Sequence, residues 1–226
     1  MQDVLEPALG AIAGAPIRVT AAGRTDRGVH ARLQVVHFDT GASRPESAWV
    51  RGVNGMLPDA VAVLWSRPVA DDFHARYSAR SRTYRYELLN RAVRPALEAR
   101  RVGWFHLPLD IEKMRQAAAL LLGEHDFSAF RSAECEARSP VRTLYALQIE
   151  ARGGRVAFVL RANAFLHHMV RNIVGTLIYV GKGKHPPQWV AEVLESGNRA
   201  AAAPTFGPEG LTLEAIEYEA RWGLPA

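Results

Sequence analysis

A single carboxylate between two arginines is the first group along this chain that could do chemistry. Asp26 lies between Arg24 and Arg27, and the segment around it is bounded by Gly23 and Gly28. Glycine accepts backbone angles that other residues resist, so a tight loop here can present one side chain outward. A carboxylate can attack carbon and leave again, and a neighbouring arginine can position its negative charge. The alternative is a structural turn in which Asp26 hydrogen-bonds to its own backbone.

Other side chains further along the chain are also candidates for a functional site. Tyr84 lies in the alternating stretch Arg82-Thr83-Tyr84-Arg85-Tyr86, a pattern that predicts a half-buried strand tyrosine. Arg171, taken alone, is expected to be a structural ion-pair partner. His167 and His168 could contact phosphate. A metal site is disfavoured, because adjacent histidines on a helix diverge by about 100°.

Hydrophobic periodicity and turn residues predict the elements that must position these groups. We expect helices over residues 3–13, 45–55, 108–121, 166–180 and 186–195, with a further helix start capped by Asp126. We expect strands over residues 16–22, 33–39, 61–69, 83–89, 143–151, 155–162 and 211–218. The loop that carries Asp26 then connects two strands, and Gly153-Gly154 joins two others into a hairpin.

Composition restricts the class of protein. The 226 residues are 48% hydrophobic and 23% charged, which is typical of a globular protein. No apolar run reaches the roughly 18 residues of a membrane span, and no leader opens the chain, so we expect a cytoplasmic protein. The one cysteine fits a reducing compartment. The net charge is +5, and residues 67–101 hold nine arginines against four acidic residues. Such a basic strip suits a phosphate backbone or, alternatively, a solvated face.

Six collinear motifs together cover essentially the whole chain. The most specific is Gly23-Arg24-Thr25-Asp26-Arg27-Gly28-Val29-His30-Ala31. The others are Asp71-Asp72-Phe73-His74-Ala75-Arg76, Arg82-Thr83-Tyr84-Arg85-Tyr86, Gly123-Glu124-His125-Asp126-Phe127, Asn163-Ala164-Phe165-Leu166-His167-His168-Met169-Val170-Arg171-Asn172 and Gly210-Leu211-Thr212-Leu213. In these motifs the chain resembles the TruA-type tRNA pseudouridine synthases.

The resemblance implies an α+β fold of two similar halves. Their antiparallel sheets join into one central sheet, with helices on the outside and an active cleft between the halves. We expect the halves to be residues 1–104, with the Asp26 loop and the basic strip, and residues 105–226, with the Arg171 helix. Family members open with a strand that carries Tyr-Asp-Gly, whereas here the first helix begins almost at Met1. We therefore expect that strand to be absent and the N-terminal sheet to have an unpaired edge.

The resemblance also implies the reaction and the residues that perform it. The protein would convert uridine to pseudouridine at positions 38–40 in the anticodon stem-loop of tRNA, as a homodimer, without cofactor or metal. Asp26 would be the catalytic carboxylate, Arg24 and Arg171 its charge partners, and Tyr84 the residue that stacks on the base. Leu211 would form a wall of the pocket. Further substrate contacts are expected from Arg27, His30, Arg82, Phe165, His167 and His168.

Two other classes of function remain open from the residues alone. The first is a tRNA-binding module that lost catalysis with its N-terminal strand; it would bind tRNA in a salt-dependent way and form no product. The second is a metal-dependent RNA hydrolase that uses scattered histidines and aspartates, and sensitivity to a chelator would distinguish it.

Overall fold

The first helix, α1 (Gln2–Ala13), follows the predicted apolar spacing and buries Leu5 and Leu9 on one side. It ends at Gly14, whose φ of 74° is left-handed and whose amide donates to the Gly10 carbonyl at 2.8 Å. Glycine is favoured at this position because it has no Cβ to clash in that conformation. The predicted helix and its end are confirmed.

The structure, a computed structural model, describes residues 1–225. Two compact units interleave along the chain. The first contains residues 1–24, residues 34–79 and the chain from Tyr218 onward, and the second contains residues 25–33 and 80–217. The expected division into residues 1–104 and 105–226 stays a prediction.

A two-stranded antiparallel sheet lies in the first unit. Strand β1 (Thr20–Ala21) pairs with strand β3 (Val36–His37), so the strands predicted over 16–22 and 33–39 are much shorter than expected. The rest of this unit packs around an apolar cluster that joins α1 to a π-helical turn (Ala48–Gly52). Its buried members are Leu5, Ala8, Leu9, Ala13, Ile17, Val19, Trp49 and Val53.

The strand predicted over residues 61–69 is wrong, because this segment has no regular secondary structure. A side chain replaces the partner strand at its centre. Asn54 donates from Nδ2 to the Val63 carbonyl at 2.8 Å and accepts the Val63 amide at 2.7 Å. The apolar alternation therefore marks an irregular segment in which the Val63 backbone is satisfied by an amide side chain.

The second unit is built on a seven-stranded mixed sheet. Six strands lie in the order β2-β9-β4-β8-β7-β6, and β5 also pairs with β4. The α+β class is confirmed, but the sheet is not purely antiparallel, because β2 runs parallel to β9 and β5 parallel to β4. The strands are β2 (His30–Ala31), β4 (Ala79–Asn90), β5 (Gly103–Phe105), β6 (Gly123–Asp126), β7 (Val141–Arg152), β8 (Arg155–Ala162) and β9 (Leu211–Tyr218).

The predicted hairpin and closing strand are confirmed. Strands β7 and β8 pair antiparallel across Gly153 and Gly154, whose φ angles are 56° and 76°. Two consecutive positive φ values are what a two-residue hairpin turn requires, and glycine adopts them without strain. Strand β9 has the predicted bounds, and strand β4 contains the predicted stretch 83–89.

Three helices accompany this sheet: α2 (Ile111–Ala119), α3 (Met169–Gly181) and α4 (Trp189–Ser196). Asp110 caps α2, since its side chain accepts the Lys113 amide at 3.0 Å. The helix start predicted at Asp126 is wrong in detail: β6 includes Asp126, and a short 3-10 helix (Ser128–Phe130) follows. Two other 3-10 helices are Arg199–Ala201 and, in the first unit, Ala220–Trp222. Within residues 1–225, no helix combines the length and apolarity needed to cross a bilayer.

Gly175 in α3 allows a close approach that a larger residue would prevent. A Cβ at this position would lie 2.4 Å from the backbone oxygen of Pro204. We expect Gly175→Ala to destabilise the protein by about 1–3 kcal/mol, because backbone atoms must shift to admit the methyl group. Urea unfolding measures this as a lower midpoint. Gly41→Ala is the control, since a Cβ at Gly41 meets no atom within 4 Å; equal midpoints for both variants would contradict the prediction.

Candidate active site

The segment that carries Asp26 is a tight turn whose shape depends on glycine. The Val29 amide donates to the Asp26 carbonyl at 3.0 Å, and Gly28 has a φ of 87°. This combination is typical of a type II turn with glycine in its third position. A Cβ at Gly28 would also lie 3.0 Å from Cγ of Pro208. Directly after the turn, β2 pairs with β9, which fixes the end of the loop to the central sheet.

The side chain of Asp26 does not close its own turn but faces two imidazoles. Nε2 of His167 lies 3.2 Å from Oδ1, and Nε2 of His168 lies 3.2 Å from Oδ2. A carboxylate can only accept hydrogen bonds, so the Nε2 atom of His167 carries the proton and donates it. The sequence predicted that these histidines contact RNA phosphate. The structure brings both of them to the Asp26 carboxylate.

The chain conformation before α3 explains how two consecutive side chains reach one carboxylate. His168 has a φ of 63°, in the left-handed region, and α3 begins only at Met169. The helix predicted from Leu166 therefore starts three residues late, because His168 is not helical. The two rings consequently lie side by side, with centroids 4.0 Å apart. A non-glycine residue at positive φ is strained, and such strain occurs often at functional sites.

Protonation of His168 is disfavoured. Burial lowers the pKa of His168, the charges of His167 and Arg171 lower it further, and the Asp26 charge opposes them. We infer that the imidazole is neutral at physiological pH and that its contact with Asp26 is a neutral polar contact rather than an ion pair.

Arg171 supplies the cation of this group. Its Nη1 lies 3.9 Å from Oδ2 of Asp26, and its side chain is only 14% exposed. The guanidinium is held by a backbone carbonyl, since Nε donates to the Phe206 oxygen at 2.8 Å. The sequence predicted the pairing of Arg171 with Asp26, and the structure places the two side chains at ion-pair distance.

A buried polar network fixes the segment after α4 against α3. Asn172 is fully buried; its Nδ2 donates to the Phe130 carbonyl at 2.7 Å. Its Oδ1 accepts from Arg199 at 3.1 Å and from the Thr205 hydroxyl at 2.7 Å. The chain then continues to Phe206, whose carbonyl orients Arg171. The sequence analysis contains Asn172 only as the last residue of a family motif and missed this role, because none of these side-chain partners is near it in sequence.

Tyr84 and Phe165 form an aromatic pair. Their ring centroids lie 5.1 Å apart in an edge-to-face arrangement. Tyr84 is buried, and burial raises the pKa of its hydroxyl to about 12. The nearby charge of Asp26 also raises this pKa, whereas Arg82 lowers it. The hydroxyl is therefore protonated at physiological pH and can donate a proton in a hydrogen bond.

The remaining predicted residues lie in several different elements of the fold. Arg82 is buried and donates from Nη1 to the Asn163 carbonyl at 2.9 Å, and Leu211 is buried at the start of β9. His30 is exposed, and its ring Nε2 lies 2.9 Å from the Arg100 carbonyl. Arg24 and Arg27 are exposed; Arg24 belongs to the first unit. The roles predicted for these five residues stay predictions.

Asp26, His167 and His168 are also the residues that could hold a metal ion, since one ligand atom from each lies within 4.8 Å of the others. The expectation that adjacent histidines diverge is wrong here, because the pair precedes α3. Arg171 nevertheless lies 3.9 Å from a carboxylate oxygen, so its positive charge would repel a bound cation. The carboxylate also already accepts a hydrogen bond from His167.

Substitution of His168 tests whether this residue positions the Asp26 carboxylate or binds a phosphate of the RNA. We expect His168→Ala to lower kcat about tenfold with little change in KM for tRNA, because a freely rotating carboxylate reacts less often in the right geometry. His168→Asn keeps an N–H donor and should retain more activity. Steady-state kinetics on unmodified tRNA measures both constants. A rise in KM at unchanged kcat would instead indicate a phosphate contact.

The chain is similar over nearly its full length to known enzymes. A family profile described as tRNA pseudouridine synthase matches residues 1–78 and 117–219. The curated tRNA pseudouridine synthase A of Dechloromonas aromatica is 57% identical over 225 residues, which cover 100% of this chain and 86% of that protein. The proteins of the same name from Thiobacillus denitrificans and Methylobacillus flagellatus are 58% and 55% identical, with the same coverage. The chain therefore belongs to the tRNA pseudouridine synthase family.

Proposed function

We propose that this protein is an isomerase that converts uridine to pseudouridine in tRNA, at positions 38–40 of the anticodon stem-loop. One observation carries the proposal. In a member of the tRNA pseudouridine synthase family, the carboxylate of Asp26 accepts a hydrogen bond from His167, lies 3.2 Å from Nε2 of His168 and lies at ion-pair distance from Arg171.

The reaction suits such a site because it is an isomerisation. The N1–C1′ bond of uridine breaks, the base turns, and a C5–C1′ bond forms. The proton that leaves C5 is balanced by the proton that N1 gains, so no oxidant, reductant or second substrate is consumed. A nucleophile or base and an enclosed base-binding pocket are sufficient. Asp26 is the group we assign to the first role, either by attack on C1′ or C6 or by removal of a proton.

The neighbouring side chains have complementary roles in this proposal. Arg171 and the two histidines fix the position of the Asp26 carboxylate, and Arg24 is a second charge partner. Tyr84, next to Phe165, stacks on the extruded base, as aromatic side chains do in enzymes that act on flipped bases. Leu211 closes the apolar side of the pocket, and Arg27, His30 and Arg82 contact the RNA.

Charge and chemistry also suggest the partner. The nine arginines of residues 67–101 suit the phosphate backbone of tRNA. We further propose that the protein works as a homodimer in the cytoplasm, where its tRNA substrate is made, and that the reaction needs neither cofactor nor metal.

The test is pseudouridine formation on an unmodified tRNA transcript that carries uridine at positions 38–40. The purified chain is incubated with the transcript alone, and product is mapped by reverse-transcription stops after carbodiimide treatment. We expect stops at those positions and equal yield with excess EDTA. Stops confined to other positions would contradict the proposed site in tRNA.

The same assay separates the two other functions. A non-catalytic tRNA-binding module would bind the transcript in a salt-dependent way but give no stops. A metal-dependent hydrolase would shorten the transcript, and EDTA would prevent the cleavage.

A further inference from the structure

An aromatic side chain in the first unit is exposed to an unusual degree. The Tyr77 side chain is 77% exposed, although tyrosine usually buries much of its ring. It lies in the loop 71–78, which includes the whole Asp71–Arg76 motif. No residue of this loop belongs to the candidate active site described above. An exposed aromatic ring in a protein that binds nucleic acid offers a surface on which a base can stack.

The ring of Tyr77 packs against a row of two imidazoles, those of His74 and His37, which we call the ladder. It packs on His74 with centroids 4.3 Å apart and planes inclined by 33°, and His74 in turn lies 4.8 Å from His37. The last ring reaches into the unit, since Nδ1 of His37 accepts the amide of the fully buried Ala75 at 3.1 Å. The rings of His37, His74 and Tyr77 therefore form a continuous stack of contacts from the interior of the unit to its surface.

Backbone hydrogen bonds hold this ladder in one conformation. Nδ1 of His74 accepts the amides of Arg76 and Tyr77 at 3.2 and 3.3 Å. The Ser78 hydroxyl accepts the His74 amide at 3.0 Å, and the His74 carbonyl accepts the Ser78 amide at 2.8 Å. The loop is thus a closed turn with its aromatic ring already placed, so little conformational freedom is lost when a ligand stacks on it.

The loop is also anchored to the rest of its unit. Phe73, which is buried, packs against Tyr218 and Trp222 at centroid distances of 5.4 and 5.1 Å. The Tyr218 hydroxyl donates to the Ala75 carbonyl at 2.6 Å. Substitution of the exposed Tyr77 ring should leave these contacts intact, which makes the position suitable for a test by mutation.

The positive charge near the Tyr77 ring indicates which class of ligand would bind there. The Arg76 guanidinium lies 5.8 Å from the centre of the Tyr77 ring, within the arginine-rich segment 67–101. An aromatic face beside a cation is the combination that binds single-stranded nucleic acid, where the ring stacks on a base and the cation meets the phosphate. Paired bases offer no free face, so an unpaired nucleotide is required.

We propose that Tyr77, supported by His74 and His37, is a stacking platform for one unpaired nucleobase of the bound RNA, separate from the base that is isomerised. The platform rests on the proposed function for the identity of the RNA. It contributes to substrate affinity and not to the chemical step. Because stacking does not depend on base-edge hydrogen bonds, the platform accepts any base.

The test compares the affinity of four proteins for a fluorescently labelled unmodified tRNA. Tyr77→Ala should raise Kd about fivefold or more, in line with the loss of one base–aromatic stack. Tyr77→Phe should bind like the parent, since it keeps the ring. The matched control is Tyr145→Ala, which removes another exposed tyrosine that lies 5.4 Å from an arginine, Arg161. It should also bind like the parent.

Two further measurements show whether charge or oligomeric state, rather than stacking, causes the loss of affinity. The slope of log Kd against log salt should be the same for Tyr77→Ala and the parent, because no charge is removed. Size-exclusion chromatography should give equal elution volumes. An unchanged Kd for Tyr77→Ala would overturn the proposal, as would an equal loss for Tyr77→Phe. A changed oligomeric state with unchanged RNA affinity would assign Tyr77 to a protein interface instead.

The affinity readout keeps this proposal separate from the proposed function. If the parent binds tRNA but forms no pseudouridine, the assignment of the reaction fails, while the comparison of Tyr77→Ala with Tyr145→Ala still decides the platform. If the parent forms product and Tyr77→Ala binds as tightly, only the platform fails.

Discussion

Replacement of Asp26 by asparagine is expected to abolish pseudouridine formation, with a loss of about 10⁴-fold or more in kcat. The amide is neutral, so it is a poor nucleophile and a poor base. It is also mismatched to its surroundings, because an amide Nδ2 at the present position of Oδ1 would face the Nε2–H donor of His167. Single-turnover product formation with enzyme in excess measures the chemical step.

Two controls show whether the loss of activity in Asp26→Asn comes from the chemical step or from weaker tRNA binding. Asp59→Asn changes an exposed loop aspartate in the same way and should leave kcat unchanged. The Kd of Asp26→Asn for tRNA should remain within a few-fold of the parent value, since the basic segment 67–101 is untouched. Product formation by Asp26→Asn at the parent rate would remove Asp26 from the mechanism.

The second large effect is expected at Arg171. Arg171→Met should lower kcat by about 10²–10³-fold, because it removes the largely buried cation, 14% exposed, next to the Asp26 carboxylate. Arg171→Lys should recover part of the activity. Lysine keeps the positive charge but lacks the planar guanidinium, whose Nε donates to the Phe206 carbonyl while Nη1 faces Asp26. The ratio of the kcat values of the two variants separates the contribution of the positive charge from that of the guanidinium geometry.

A matched substitution distinguishes catalysis from packing. The Arg115 side chain also donates from Nε to a backbone carbonyl, that of Ile149 at 3.1 Å, but it lies on α2 and is 48% exposed. Arg115→Met should therefore leave kcat unchanged and lower the urea midpoint only slightly. If Arg171→Met and Arg115→Met lose similar activity, or if Arg171→Met merely unfolds, Arg171 is structural.

Local signals of the sequence predicted most of the regular elements. Gly14 in a left-handed conformation ends α1, Asp110 caps α2, and the Gly153-Gly154 pair closes the β7–β8 hairpin. Each of these features depends on residues within about four positions of one another, so it can be read from the chain itself. The strand predicted over 61–69 failed for the opposite reason: its backbone is satisfied by Asn54, and a pattern of apolar residues does not reveal the partner.

For the site, the amino-acid sequence by itself determined the family, the tight turn that presents Asp26, and the list of side chains that could act with it. Only the tertiary structure decided which of them meet. His167 and His168 reach the Asp26 carboxylate because His168 adopts a positive φ before α3, and the sequence predicted a continuous helix there. Arg171 is oriented by the Phe206 carbonyl, 35 residues away in the chain. These contacts join segments that are distant in sequence, and their formation depends on packing and burial, which no local pattern of residues encodes.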